Sequence, residues 1–264
     1  MSDAEPGRRP VFVGGLHRSG TSLVAECLAS HPSIGAFHGG DAPENEGQYL
    51  QTTLPSDEEH GGPGRFALAP EAHMTESSPL AGPETAERLW RQWSRYWQRN
   101  GPYVLEKSPA NLLRCRLLQK LFPGAAFVLI VRHPVSVTLS TIKWTPSLTP
   151  LDLLHHWVTA HDIAFADVSH LRRVLTVRYE DLIADRAGEL GRIARFLGLL
   201  PSFGPAEITS DLDRRYARQW AAIRPLLPEG ALHALDARTA RYGYSLLDRA
   251  VPGLDLRPSG SAGG

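Results

Sequence analysis

A short apolar run that breaks into glycine and resumes as a helix constrains the fold of this chain more than any other feature. Pro10 to Val13 is β-rich, Gly14-Gly15 interrupts it, and a polar turn follows, Leu16-His17-Arg18-Ser19-Gly20. From Thr21 to Ala29 the spacing is helical, with Leu23, Val24, Cys27 and Leu28 on one side, and His31-Pro32 ends the helix. Strand, glycine loop and helix open the nucleotide-binding α/β folds. Glycines let the backbone curl so that several N–H groups point inward, and the helix N-terminus adds partial positive charge. The Thr21 and Ser22 hydroxyls and the Arg18 guanidinium complete an anion cradle. The spacing approaches G-x-x-x-x-G-K-[ST], but Thr21 stands where a P-loop ATPase carries the lysine that reaches the β- and γ-phosphates. A P-loop kinase or ATP-binding module is therefore the alternative reading rather than the first.

A second signal lies at Ala126 to Val131, AFVLIV, the most apolar strand of the chain and one expected to be buried on both faces. Arg132 follows it directly, at the carboxyl edge where open parallel sheets bind ligands. A helix is predicted from Pro134 to about Lys143, which places Ser140 two turns along it; an arginine and a serine so separated can hold a second phosphate. Further strands are predicted at Tyr103–Glu106 and Val174–Val177. Further helices are predicted at Glu84–Arg99, Asn111–Phe122, Leu151–His170, Arg186–Leu197, Arg214–Leu226 and Ala231–Arg241. The alternation predicts a P-loop-like, three-layer α/β fold with a mostly parallel central sheet flanked by helices. Residues 10–250 are expected to form one domain, between a flexible N-terminus (1–9) and a flexible tail (251–264). Inside it, residues 31–83 carry no sustained period, and 15 of these 53 are Gly or Pro. Phe37, Tyr49, Leu50, Leu54, Phe66 and Leu68 argue that this segment is nonetheless ordered, as a substrate pocket or lid.

Composition narrows the function. Lys plus Arg number 28 and Asp plus Glu also 28, so no basic surplus exists for a nucleic-acid backbone. No apolar run is long enough for a membrane span, and the start lacks the pattern of a secretion signal, so a cytoplasmic protein with no membrane partner is expected. Cys27 and Cys115 are then expected as buried thiols rather than a disulfide. His155, His156 and His161 are wrongly spaced for one helix face, so no metal site is expected. Only three cations are lysine, which singles out Lys107 in Glu106-Lys107-Ser108-Pro109, because an ammonium is a compact point charge and a guanidinium a planar fork.

Taken together, GLHRSGTSLV and IVRHPVSVTLS resemble the 5′-phosphosulfate loop and the 3′-phosphate motif of the sulfotransferases that use 3′-phosphoadenosine 5′-phosphosulfate (PAPS). The loop is similar to that of the tyrosylprotein branch. The segments Glu44–Gln51, Glu106–Asn111 and Arg178–Leu182 resemble ENEGQ-L-Q, EKSP-N and RYEDL of bacterial members, in the same order from about Val11 to Leu199. The resemblance implies PAPS as co-substrate, no required metal, and a small-molecule, glycan or peptide acceptor. It implies that Arg18, Ser19, Gly20, Thr21 and Ser22 hold the 5′-phosphosulfate, that Arg132 and Ser140 hold the 3′-phosphate, and that Tyr179 contacts the nucleotide. Lys107 and Arg18 are implied as catalytic cations. For the base, His38 falls where the tyrosylprotein branch places a glutamate and is preferred, with Glu46 and Glu44 as rivals. Arg214, Arg215 and Arg218 are read as a solvated helix face in preference to a cover for the 3′-phosphate.

Overall fold

The computed structural model of the protein describes residues 7–98, 101–204 and 212–248. Five strands, β1 (Arg9–Gly14), β2 (Ile34–Gly35), β3 (Tyr103–Lys107), β4 (Ala126–Val131) and β5 (Val174–Arg178), form one sheet in the order β2-β3-β1-β4-β5. Every neighbouring pair is parallel. A strand alternates its side chains, so a parallel sheet covered on both faces needs apolar residues at consecutive positions. β4 meets that demand: Phe127, Leu129 and Val131 enter one core, Ala126, Val128 and Ile130 the other. β1 does the same with Phe12 against Val11 and Val13.

One face is covered by α1 (Thr21–Ala29) through Val24, Cys27 and Leu28, and by α7 (Arg186–Leu197) through Leu190, Ile193 and Leu197. The opposite face carries α2 (Pro83–Trp93), α3 (Cys115–Leu121), α4 (Pro134–Thr141), α5 (Pro150–Val168), α8 (Leu212–Ile223) and α9 (Glu229–Thr239). A short helix, α6 (Tyr179–Ala184), follows β5. These are the expected three layers. Cys27 and Cys115 are both buried free thiols. His156 and His161 are core residues, the first accepting from the Ala67 amide and the second stacked on Trp157; burial holds them neutral, with pKa values pushed down to about 3 and about 4.

The structure departs from the expected elements in three places. Residues 31–83 open with the edge strand β2 and continue as short 3₁₀ turns, with Phe37, Leu50, Leu54 and Phe66 buried and Tyr49 and Leu68 exposed. The helix expected from Glu84 stops at Trp93, because Trp97 turns back to bridge Phe37 and to donate its indole N–H to the Leu105 carbonyl. The helix expected from Asn111 is a 3₁₀ turn, Pro109–Leu113, and then α3, because Asn111 turns its amide to the Val13 carbonyl and Arg114 leaves helical geometry. Arg99, most of the expected N-terminal segment and the tail lie outside the described residues.

Candidate active site

β1 lies between β3 and β4, so Gly14, Lys107 and Val131 end side by side at the carboxyl edge of the sheet. At such an edge the chain leaves each strand as a loop free to carry chemistry. The loop after β1 is tightly curled. The Ser19 amide donates to the Leu16 carbonyl at 3.0 Å, Arg18 takes a left-handed backbone (φ 65°) and Gly20 another (φ 102°). Gly20 admits no side chain: a Cβ there would lie 2.5 Å from the Tyr179 ring. Gly20→Ala is therefore expected to destabilise the fold by about 1–3 kcal/mol and to displace Tyr179, read as a lowered melting temperature together with weakened nucleotide binding.

His17, Arg18, Gly20, Thr21 and Ser22 line a cleft of about 240 Å³ that also contains Glu44, Glu46, Arg132, Trp144 and Tyr179. Ser19 is placed differently from its loop neighbours. It is completely buried, with its hydroxyl packed against Gly15, and it does not line the cleft. Arg132 leaves β4 buried, lays its guanidinium 3.9 Å from the Tyr179 ring centroid and donates to the Arg18 carbonyl at 3.1 Å. Ser140 projects from α4 to accept from Arg18 Nε at 2.9 Å. Arg18 thus joins the loop after β1 to the motif after β4, and its guanidinium covers the Trp144 ring at 4.7 Å.

On the other side of the loop, Lys107 at the end of β3 is buried. It donates to Glu46 Oε1 at 3.1 Å and to Ser22 Oγ at 3.3 Å, and stands 3.6 Å from Glu44. Glu46 is buried as well, and its second oxygen accepts from Gln48 at 2.7 Å. Burial pushes the Glu46 carboxyl above the usual carboxylate range, against the pull of the Lys107 charge. Glu44 goes the other way: its desolvation is outweighed by the Ser22 hydrogen bond and the charges of Lys107 and Arg18, which hold it below that range. Beneath the pair, Glu106 is fully buried; its carboxylate accepts from Ser108 at 2.6 Å and from Asn111, and Ser108 in turn accepts from the Gln48 amide at 3.0 Å. The Glu106–Asn111 segment is thereby a brace that fixes Glu46 and Lys107 in place.

His38 is not brought to this cluster. Its neighbour Phe37 turns inward onto Trp97, so in the same extended stretch His38 is exposed, with its amide on the Tyr96 carbonyl. Arg215 and Arg218 are exposed on α8, while the Arg214 side chain lies outside the described residues. The face of α8 turned to the site carries Tyr216, whose hydroxyl accepts from Lys143 at 3.4 Å. Residues not foreseen from the sequence also belong here. Trp144, 52 % exposed, floors Arg18. Asp57, from the irregular segment, stands 2.8 Å from the His17 ring and ties that segment to the loop after β1. No local pattern marks Asp57, which lies 40 positions from its partner.

A sequence profile of the sulfotransferase family matches residues 10–201, which include every residue that lines the cleft. The chain is 24 % identical over 198 residues to protein-tyrosine sulfotransferase 2 of Gallus gallus, covering 72 % of this chain and 51 % of that protein. It is 30 % identical over 126 residues to the omega-hydroxy-beta-dihydromenaquinone-9 sulfotransferase Stf3 of Mycobacterium bovis, covering 42 % of this chain and 32 % of that one. It therefore spans about half the length of the first of these relatives and about a third of the second. Among solved structures, the sulfotransferase domain of the Synechococcus PCC 7002 olefin synthase superposes with a TM-score of 0.54 at 20 % identity, over 93 % of this chain and 98 % of that domain. The sulfotransferase domain from the curacin biosynthetic pathway gives 0.54 at 18 % identity, over 90 % and 98 %. With a family profile that spans most of its length, the chain belongs to the sulfotransferase family.

Proposed function

We propose that this protein transfers a sulfuryl group from PAPS to a hydroxyl or amine of an acceptor. The observation that carries the proposal is the Arg18–Ser140 hydrogen bond, which joins two anion-binding motifs in one cleft, with the Lys107–Glu46 pair buried at its side. The residues fit the co-substrate: the loop donors and Arg18 suit a 5′-phosphosulfate, Arg132 and Ser140 a 3′-phosphate, and the aromatic faces of Tyr179 and Trp144 a nucleoside. Sulfuryl transfer spreads negative charge over the sulfuryl oxygens and the bridging oxygen, as loose phosphoryl transfer does. Arg18 and Lys107 supply fixed positive charge where that charge grows. Glu46 takes the proton from the acceptor as its oxygen or nitrogen bonds to sulfur, and the sulfur–oxygen bond to the nucleotide phosphate breaks. The 3′,5′-bisphosphate leaves with that electron pair.

Both relatives' names specify a hydroxyl acceptor, a protein tyrosine and an ω-hydroxyl. Two buried, unpaired thiols accord with a reducing, cytoplasmic setting. Among the described residues no helix is long and apolar enough to cross a membrane.

Calorimetric titration with adenosine 3′,5′-bisphosphate, set against ATP with magnesium, tests the reading. Micromolar binding of the bisphosphate without added metal supports it; binding of ATP with magnesium alone moves a P-loop kinase into its place. A pH profile tests the base. Glu46 must be ionised to accept a proton, so kcat/KM should fall as pH drops through its raised pKa, above the ordinary carboxylate range. Lys107→Met removes the charge that favours the carboxylate, so the acid limb should move to still higher pH. An acid limb that stays in place in that variant counts against Glu46.

A further inference from the structure

Beside the phosphate cleft lies a second groove of about 380 Å³ that shares Arg18, Ser22, Glu26 and Glu44 with it and reaches Lys107. An acceptor seated there can bring its nucleophile to Lys107, which lines the groove and holds Glu46 at 3.1 Å. One side of the groove is apolar. Ala25 and Ala29 come from α1, Ala36 and Phe37 from the stretch after β2, and Leu105 from β3. Three alanines make the space, and Phe37 closes it as a flat wall held in place: it stacks on Trp97 at 5.4 Å and 10°, and Trp97 is pinned to the Leu105 carbonyl at 2.8 Å. The volume is at the small end for ligand sites and suits one ring with a short tail.

Charge decides the tail. Glu26 and Glu44 both stand exposed along this groove, and Glu44 is held as a carboxylate by Ser22 at 2.7 Å. Of the two cations that line it, Arg18 is held by Ser140 and Trp144, and Lys107 lies between Glu46 at 3.1 Å and Glu44 at 3.6 Å, so Glu26 is the carboxylate of the groove that neither of these contacts offsets. Both cations also face the phosphosulfate in the reading above, so the loaded site offers an acceptor tail carboxylates and an anionic co-substrate. We infer that the groove takes a small hydroxy compound with a flat apolar body and a cationic, amine-bearing tail, and turns away acceptors whose tail is anionic. The inference rests on the sulfuryl-transfer reading and adds to it the acceptor class.

The test uses the full chain saturated with adenosine 3′,5′-bisphosphate and three phenols of one size: tyramine, 4-ethylphenol and 3-(4-hydroxyphenyl)propionate. Binding is read by calorimetry, and kcat/KM with PAPS as donor. The expected order is amine, neutral, anion, with about tenfold between steps and a spread that narrows as salt is raised. Glu26→Lys should compress or invert that order. Ala29→Leu, which fills the groove, should weaken all three phenols by about tenfold or more while the bisphosphate binds as before. Equal affinities, a preference for the anion, or no binding of any phenol to the loaded protein overturns the inference alone. Failure of the bisphosphate itself to bind overturns the sulfuryl-transfer reading and this inference with it.

Discussion

Glu46→Gln is expected to cut turnover by about 10²- to 10⁴-fold while adenosine 3′,5′-bisphosphate still binds within a few-fold of the parent. The amide keeps the size of the side chain and one acceptor for Lys107, which stands 3.1 Å from Glu46, but it has no basic site for the acceptor proton. His38→Ala should leave turnover near that of the parent, since His38 is exposed and does not line the cleft. The two variants together separate the candidate bases. If His38→Ala is the one that abolishes turnover, the segment after β2 must rearrange on binding, and Glu46 serves only to place Lys107. Single-turnover measurements at saturating PAPS read the chemical step without product release.

Arg132→Ala is expected to weaken bisphosphate binding by about 2–3 kcal/mol, roughly 30- to 150-fold. Arg132 is only 6 % exposed, so its charge acts on a bound phosphate with little screening by solvent. It also supports the site without ligand, through its bond to the Arg18 carbonyl and its packing on Tyr179. Arg132→Lys keeps the charge but loses the planar fork, and should fall between the parent and the alanine variant. The measurement is a titration at fixed ionic strength, with a melting curve for each variant to set aside a general loss of fold. An affinity unchanged in Arg132→Ala would remove the 3′-phosphate assignment.

The layered fold and the two motifs at the sheet edge were legible because each is a local event. AFVLIV reads as a doubly buried strand from its own composition, and the curl of Gly14 to Gly20 follows from residues that are neighbours in the chain. Lys107 stood out by type, and its place at the end of β3 follows from a short strand. The irregular stretch from His31 to Pro83 was legible only as irregular, since 3₁₀ turns have no side-chain period to read. The preference for His38 came from counting along that stretch. One extended residue more or less turns a side chain from the cleft to solvent, and the Phe37–Trp97 bridge, which sets that register, joins residues 60 positions apart.

By itself the sequence determined which strands are buried, where the chain turns at the sheet edge, and which residue types stand ready to bind anions. The tertiary structure alone decided which of them meet. Arg18 reaches Ser140 across 122 residues, Lys107 reaches Glu46 across 61, and Asp57 holds His17 across 40. Such contacts depend on the order β2-β3-β1-β4-β5, which is set by the packing of whole helices onto both faces of the sheet. The apolar pattern of a strand states that it is covered, and only the packed molecule states by what.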